Sequence, residues 1–277
     1  MLYTVQKLAA FSDGARGGNP AGVWIGPHLP PTDEMQRIAA EVGYSETTFA
    51  SPIEQGWRVR YFAPAMEVPF CGHATIALGS ALAQHTGQTD FSLQLNDAQI
   101  EVSVDGRDDE QRVTLLSPET WVGDLDSAAV QAGLDLFGLS QSDLHPQLRP
   151  ALGSSGENQL YLLLHDREVL ARMQYDFELG RQVMDAHGWM TVNLIVPEGE
   201  QLFHARVAFA PGGVVEDPAT GAAAAGLAEV LRYQNWPHGS AFSVHQGDDM
   251  GMPSRLSVQL SSVRGSSVHV SGTVRRL

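Results

Sequence analysis

The chain has 277 residues, of which 43% are hydrophobic and 18% charged, and its formal net charge is −15. This composition excludes a disordered protein and provides for one large domain or two of moderate size. So acidic a chain, without a basic cluster, should not bind nucleic acid. No apolar run reaches the roughly 20 residues of a membrane span, and the N-terminus lacks a signal-peptide pattern. We therefore expect a cytoplasmic protein that does not bind membranes.

The N-terminal half contains a predicted turn, a helix and several strands. Residues 15–22, ARGGNPAG, are typical of a hairpin turn, and Asn19 would line a binding cleft if this loop is functional. Thr32–Val42 has the apolar spacing of an amphipathic helix, with Thr32 as N-cap and Gly43 as stop. Alternating patterns predict strands at residues 91–95, 99–104 and 112–116.

Glu46 lies in another alternating segment, GYSETTFA. Alternation places Glu46 on one face with Tyr44 and Thr48. A solvated charge on an edge strand is the simpler interpretation. If Glu46 instead faces a cleft, its carboxylate is suited to accept and return a proton.

Two segments of the chain repeat one pattern. RVRYFAPAMEVPFCGHATIALGSAL begins at Arg58, and ARVAFAPGGVVEDPATGAAAAGLAEVL begins at Ala205. Both run from a strand through Phe-Ala-Pro, a polar loop and Ala-Thr into a stretch of small residues. Chance could give so short a match, but the shared order favours duplication. Residues 76–83 and 222–231 are apolar nearly all round, which is typical of buried helices.

The C-terminal half adds a second amphipathic helix at Phe177–His187, after Asp176 as N-cap. Strand patterns follow at residues 159–165, 191–196, 203–209, 241–244, 255–260 and 267–274. The sequence therefore predicts an α+β protein of two similar domains, residues 1–117 and 118–277. Each should be a curled, mostly antiparallel sheet around a central helix, and whether the last strand crosses over to the first domain stays open.

The two repeated loops end where the buried helices should begin, and unpaired N–H groups there can bind a carboxylate. If the domains face each other, His73 and Asp217 would reach one cleft from opposite sides. Alternatively, His73 is a structural imidazole and Asp217 an N-cap. The predicted substrate-binding residues, besides Asn19, are Gly72, Thr75, Thr220, Gly221 and Ala222.

Several motifs together resemble the phenazine biosynthesis PhzF-like family, which has the diaminopimelate-epimerase fold. They are GNPAGVW from Gly18, SETTF from Ser45, PFCGHAT from Pro69 and EDPATG from Glu216. A fifth, MGMPS from Met250, resembles the family's MGRPS. Two departures are Met252 in place of arginine and Ala222 where serine is frequent.

This resemblance implies two similar domains with the active site between them, a homodimer, and neither a metal nor an organic cofactor. It implies that Glu46 moves a proton between carbons, as the equivalent glutamate does on a dihydro-hydroxyanthranilate. It also implies that His73 and Asp217 line the same site. The expected function is thus a cofactor-free, PhzF-like isomerase of a small carboxylated substrate.

Two alternatives remain open: an amino-acid racemase or epimerase, and a non-catalytic protein that binds small acids. Related epimerases use two cysteines on opposite faces of a carbon, and Cys71 stands where one of them would be. It is the chain's only cysteine, so a two-thiol mechanism, an internal disulfide and a zinc–cysteine cluster are excluded. We expect Cys71 to be a small residue at a tight helix start.

Overall fold

The computed structural model describes residues 4–106 and 111–277. The chain forms two compact units. The first contains the residues up to Leu116 together with Ser271–Leu277, and the second is Ser117–Val270. The chain thus returns to the first unit for its last strand.

The strands and helices are as follows in chain order. The strands are β1 (Gln6–Ala10), β2 (Asn19–Ile25), β3 (Glu46–Ile53), β4 (Gly56–Phe62), β5 (Glu67–Val68), β6 (Asp90–Gln94), β7 (Gln99–Asp105), β8 (Arg112–Leu116), β9 (Trp121–Gly123), β10 (Ala151–Ser154), β11 (Asn158–Leu163), β12 (Thr191–Pro197), β13 (Leu202–Phe209), β14 (Val214–Asp217), β15 (Ala241–Gln246), β16 (Ser254–Gln259) and β17 (His269–Arg276). The helices are α1 (Thr32–Val42), α2 (Gly72–Thr86), α3 (Ser127–Leu136), α4 (Arg167–Ala171), α5 (Phe177–His187) and α6 (Gly221–Tyr233). None of the helices in the described residues is long and apolar enough to cross a membrane.

In the first unit the sheet surrounds α2. Strand β1 pairs antiparallel with β2 and with β17, β2 runs parallel to β3, and β3 pairs antiparallel with β4. Strand β4 runs parallel to β6, which continues antiparallel through β7 to β8, and β8 pairs with β17. These pairings return to β1, so the mostly antiparallel sheet closes on itself. Helix α2 packs against five of its strands, β1, β2, β3, β7 and β8.

Small side chains allow α2 to lie inside this sheet. All its residues from His73 to Ala83 are buried. A Cβ atom at Gly79 would come within 2.7 Å of Cγ1 of Val113 and 2.8 Å of Cγ1 of Val102. Such contacts would force the strands apart, because buried atoms are already close-packed. The prediction that residues 76–83 form a buried helix is confirmed.

The second unit repeats this order around α6. Strand β11 runs parallel to β12, β12 pairs antiparallel with β13, β13 runs parallel to β15, and β15 pairs antiparallel with β16. These relations match those of β2, β3, β4, β6 and β7. The short strands β5 and β14 pair with β4 and β13 in the same way. The repeat first seen in two segments therefore extends over most of each unit.

An arginine–glutamate pair marks the repeated loop in both units. Nη2 of Arg60 lies 2.5 Å from Oε2 of Glu67, and the same atoms of Arg206 and Glu216 are also 2.5 Å apart. Each pair joins the strand before Phe-Ala-Pro to the short strand after it. The guanidinium of Arg60 also holds the pKa of Glu67 below its usual value, by a side-chain hydrogen bond.

Most predicted elements are confirmed, with strand ends shifted by two residues at most. Helix α5 begins after Asp176, whose side chain accepts a hydrogen bond from the amide of Leu179. The prediction that Thr32 is an N-cap is wrong: Pro31 is the N-cap of α1, and the Thr32 hydroxyl accepts a hydrogen bond from Arg60. Arg60 lies on β4, and its charged guanidinium donates this hydrogen bond.

The predicted hairpin turn at residues 15–22 is only partly correct. Gly17 and Gly18 have the positive φ of a turn, but Asn19 already begins β2 and pairs with Ala10 of β1. The turn therefore ends before the Asn-Pro dipeptide, because pairing with β1 takes these residues into the sheet.

Two charged side chains interrupt the apolar surface expected for α6. Glu229 and Arg232 form an ion pair of 3.1 Å, and each side chain is 2% exposed. Thr120, Ser266 and the amide of Gly265 contribute hydrogen bonds to the pair. Buried charges are stable only when paired and hydrogen-bonded in this way.

We predict that Glu229→Gln lowers the free energy of unfolding by about 3–5 kcal/mol, because it leaves the Arg232 charge buried without its counter-ion. Urea denaturation followed by circular dichroism measures this loss. Glu178→Gln is the matched control, since it removes a carboxylate from an exposed pair with Arg181 and should change stability far less. Equal effects of the two substitutions would contradict the assigned role of the pair.

Candidate active site

Three side chains that can exchange protons or bind metals meet in the first unit. Glu46 is the first residue of β3, Cys71 directly precedes α2, and His73 is the second residue of α2. Oε2 of Glu46 lies 3.3 Å from Nε2 of His73, and Sγ of Cys71 lies 3.3 Å from Nδ1 of the same ring. We call these three residues the Glu–Cys–His cluster. The packing of β3 against α2 brings Glu46 to the start of the helix.

The Glu46 carboxylate is largely enclosed. Its side chain is 15% exposed and that of His73 is 8% exposed. The Oε2 atom is buried and accepts no hydrogen bond within the described part of the chain. A buried acceptor in this state costs free energy that a hydrogen-bonding ligand can recover. The interpretation of Glu46 as a solvated edge charge is therefore wrong, because packing against α2 encloses the carboxylate.

The imidazole of His73 has a contact at each nitrogen. Ser45 Oγ lies 3.4 Å from Nε2, on the same side as Glu46, while the Cys71 thiol faces Nδ1. Cys71 occupies the N-cap position with extended backbone, but its side chain makes no capping hydrogen bond. Cys71 is thus the expected residue at a tight helix start, and its thiol also contacts the histidine. The spacing Cys-Gly-His was the available signal for this contact.

Asp217 lies in the second unit, as the last residue of β14, and is 9% exposed. Its Oδ2 accepts a hydrogen bond of 2.5 Å from the hydroxyl of Thr220. The N-cap of α6 is Thr220, so the interpretation of Asp217 as the N-cap is wrong. The aspartate lies three residues earlier, where β14 still pairs with β13.

Gln246 supports this segment and was not predicted from the sequence. Its Nε2 donates to the backbone oxygen of Asp217 at 2.7 Å and to the Thr220 hydroxyl at 3.0 Å. Its Oε1 accepts from the Thr220 amide at 3.2 Å. Gln246 ends β15, far along the chain, so only the folded unit shows its role.

The predicted substrate-binding residues differ in what they can still offer a ligand. Gly72 begins α2, and Gly221 and Ala222 begin α6, where first-turn N–H groups have no intrahelical partner. Asn19 is 2% exposed at the start of β2. The Thr220 amide donates to Gln246, and binding of substrate by Thr220 stays a prediction.

The amide and hydroxyl of Thr75 have partners within the first unit, and its binding of substrate stays a prediction. Its amide donates to the Cys71 carbonyl at 3.0 Å, because Thr75 is the first residue of α2 that reaches an acceptor four residues back. Its hydroxyl donates to the same carbonyl and lies 2.7 Å from the Tyr61 hydroxyl. The residue is fully buried, and burial also raises the pKa of Tyr61 above its usual value. Thr75 therefore has a structural role.

The structure thus brings Glu46 and His73 together within one unit. Asp217 belongs to the other unit, and its convergence with them on one cleft stays a prediction.

Comparison with known proteins defines the class. The family model described as phenazine biosynthesis-like protein, PhzC-PhzF, matches residues 8–275. The chain therefore belongs to the PhzF family, as its motifs indicated.

Relatives with curated names are similar over nearly the whole chain. An "uncharacterized isomerase" of Deinococcus radiodurans is 32% identical over 272 residues, which are 95% of this chain and 88% of that protein. The trans-2,3-dihydro-3-hydroxyanthranilate isomerase of Pseudomonas aeruginosa is 27% identical over 279 residues, 98% of this chain and 96% of that protein. These names support an isomerase.

Solved structures confirm the α+β fold. A PhzF-family phenazine biosynthesis protein of Bacillus anthracis has a TM-score of 0.87 at 22% identity, covering 99% of this chain and 97% of that one. A probable proline racemase of Agrobacterium radiobacter has a TM-score of 0.64 at 12% identity, covering 100% of this chain and 91% of that one. At these identities the likeness concerns the fold alone.

We predict that Thr75→Val lowers the free energy of unfolding by about 1–3 kcal/mol, because it removes a hydrogen-bond partner of the buried Tyr61 hydroxyl. Urea denaturation measures the loss, and Thr86→Val, at an exposed position near the end of α2, is the matched control. Loss of ligand binding by a stably folded Thr75→Val protein would contradict the structural role.

Proposed function

We propose that this protein is a cofactor-free isomerase that moves a proton between two carbons of a small carboxylated substrate. Membership of the PhzF family and the isomerase names of its relatives support this class. The observation that carries the proposal is the buried Oε2 of Glu46, which accepts no hydrogen bond within the described residues and lies 3.3 Å from His73. Because this carboxylate oxygen accepts no hydrogen bond there, it can take a proton from a substrate C–H group that lies beside it.

The proposed reaction has two proton transfers. Glu46 takes a proton from one carbon of the substrate, and the electron pair of that C–H bond moves into the adjacent unsaturated system. The protonated carboxyl group then returns the proton to a second carbon, so Glu46 ends in its starting state. Positioned acid–base catalysis of this kind contributes about 10²–10⁴-fold.

His73 and Asp217 have supporting roles in this proposal. The His73 imidazole, between Glu46 and Cys71, orients the carboxylate and can donate a hydrogen bond to the substrate. Asp217, held by Thr220 and Gln246, would position the substrate from the second unit. This role requires that the two units place both groups at one cleft.

We propose main-chain recognition of the substrate carboxylate. First-turn N–H groups of α2 and α6 can donate to an anion, and the helix dipoles favour negative charge there. The candidates are Gly72, Gly221 and Ala222. The name of the Pseudomonas relative gives its substrate as a cyclic, unsaturated amino acid with a carboxylate. A substrate of that chemical class fits the proposed proton transfer.

The contact between Cys71 and His73 favours one alternative, an amino-acid racemase with a single thiol. In that reaction Cys71 and a carboxylate would act on opposite faces of one α-carbon. Deuterium from D₂O would then appear at the α-carbon of an amino acid, whereas the proposed isomerase labels a carbon of an unsaturated acid. A ligand that binds and exchanges no deuterium would indicate a non-catalytic binding protein.

The resemblance to the family also supports a homodimer, which is part of the proposal. Light scattering on the purified protein measures the molar mass, and a monomer at micromolar concentration would contradict it.

We predict that Glu46→Gln lowers the rate of deuterium exchange by about 10²–10⁴-fold, because it removes the proton acceptor at nearly constant shape. The assay follows exchange into unsaturated cyclic acids by NMR, with circular dichroism as the folding check. Glu101→Gln, on the exposed part of β7, is the matched control and should retain the rate. An unchanged rate in Glu46→Gln would contradict the assignment of the base.

Cys71→Ala separates the two enzymatic alternatives. For the isomerase we expect a loss of less than about tenfold, because the thiol contacts the histidine without taking the proton. Near-complete inactivation of a normally folded Cys71→Ala protein would favour the racemase.

We also predict that small carboxylates bind in preference to their amides or esters, despite the net charge of −15. A helix terminus stabilises an anion by about 0.3–1 kcal/mol when exposed and up to ~2 kcal/mol when partly buried. Calorimetry on matched acids and amides, repeated at increasing salt, measures the preference. Binding should weaken only modestly with salt, since an enclosed site is screened less than the surface. Equal affinity for acids and amides would contradict recognition through the helix starts.

A further inference from the structure

The Glu–Cys–His cluster contains three different metal-binding groups. A carboxylate oxygen, a thiol sulfur and an imidazole nitrogen all lie within 4.8 Å of one another. Each is held by a separate backbone position, Glu46 by β3 and the other two by the start of α2. We infer that this cluster binds a thiophilic divalent cation, of which Zn²⁺ is the representative.

The separations fit one cation. Zinc bonds of about 2.3 Å to sulfur and about 2.0–2.2 Å to nitrogen and oxygen imply, at tetrahedral angles, separations of about 3.4–3.6 Å between ligand atoms. The observed distances from Nε2 of His73 are 3.3 Å to Oε2 of Glu46 and 3.9 Å to Sγ of Cys71. The third separation, between a carboxylate oxygen of Glu46 and Sγ, is at most 4.8 Å, and the thiol lies nearer to Nδ1 than to Nε2. Rotation of the Cys71 side chain toward Nε2 would bring all three atoms into coordination distance.

The hydrogen bonding of Glu46 also supports cation binding. Oε2 of Glu46 is buried and accepts no hydrogen bond within the described residues. Coordination would give Oε2 the partner that it lacks. The thiol faces Nδ1 in this structure, so a cation on Nε2 requires the Cys71 side chain to turn toward the Glu46 side of the ring.

The ligand types select the kind of ion. Thiolate and imidazole favour zinc and similar soft or borderline cations, whereas Mg²⁺ and Ca²⁺ prefer sites built of oxygen atoms. Three protein ligands leave a fourth position for water, as in open zinc sites. Since Glu46 is the proposed base, the bound ion would block proton transfer; this inhibition rests on the proposed function, while the binding does not.

The test measures binding without reference to activity. Isothermal calorimetry with Zn²⁺ on the full chain at pH 7 should give one ion per chain. Cys71→Ser and His73→Gln should each weaken that binding by about 100-fold or more, since even substitutions behind metal ligands cost 10–100-fold. Co²⁺ should give a thiolate charge-transfer absorption with the unmodified chain, which Cys71→Ser abolishes.

His204→Gln is the matched control. Nε2 of His204 lies 2.5 Å from Oε2 of Glu198 beside the ring of His245, an alternative imidazole–carboxylate group in the second unit. The control should leave the binding unchanged. Binding that persists in Cys71→Ser and His73→Gln, or that His204→Gln removes, overturns the inference.

A measurement on the unaltered protein covers the case in which the variants fail to fold. Cys71 is the only cysteine, so alkylation by iodoacetamide reports this thiol alone. Zn²⁺ should slow the alkylation by about tenfold or more, since a coordinated thiolate is a poor nucleophile, and Mg²⁺ should not. Equal alkylation rates with and without Zn²⁺ overturn the inference.

Discussion

The burial of α2 inside the closed sheet of the first unit is the constraint on which the rest of that unit depends. A helix surrounded by strands must consist of small side chains, and the close approach of Val102 and Val113 leaves no room for a Cβ atom at Gly79. In its middle turns the backbone N–H and C=O groups are hydrogen-bonded to one another within the helix. Only the first turn can offer backbone donors to a ligand, and Glu46 and His73 meet at this end.

The two units have the same topology, but different side chains lie at the start of the central helix. In the first unit Cys71 and His73 contact each other beside Glu46. At the equivalent place in the second unit, Asp217 and Thr220 form a hydrogen-bonded pair supported by Gln246. The shared arginine–glutamate pairs preserve the loop in both, so the helix start can differ in chemistry while its position is maintained.

Local patterns predicted most of the long elements, because apolar spacing and caps act within a few residues, but α3, of ten residues, was not predicted. Helix α5 and its Asp176 cap, and the two buried helices of the repeat, are examples. The short strands β5 and β14 have too few residues for a pattern. Spacing alone does not reveal contacts with other elements. The role of Gln246, the burial of the Glu229–Arg232 pair and the hydrogen bond between Thr75 and Tyr61 all depend on such contacts. The motifs indicated Glu46 and His73, and the Cys-Gly-His spacing was the available signal for the contact of Cys71, whose atoms and distance only coordinates give.

The return of the last strand to the first unit has a consequence for biosynthesis. Strand β17 pairs with β1, and the amide of Leu277 donates to the carbonyl of Lys7. During translation, N-terminal domains generally fold first. Here the sheet around α2 cannot close until residues 271–277 have left the ribosome, although the second unit, Ser117–Val270, has emerged by then. The unit that carries Glu46 and His73 therefore cannot complete its sheet before the second unit has emerged, and until then β1 and β8 lack the strand that lies between them.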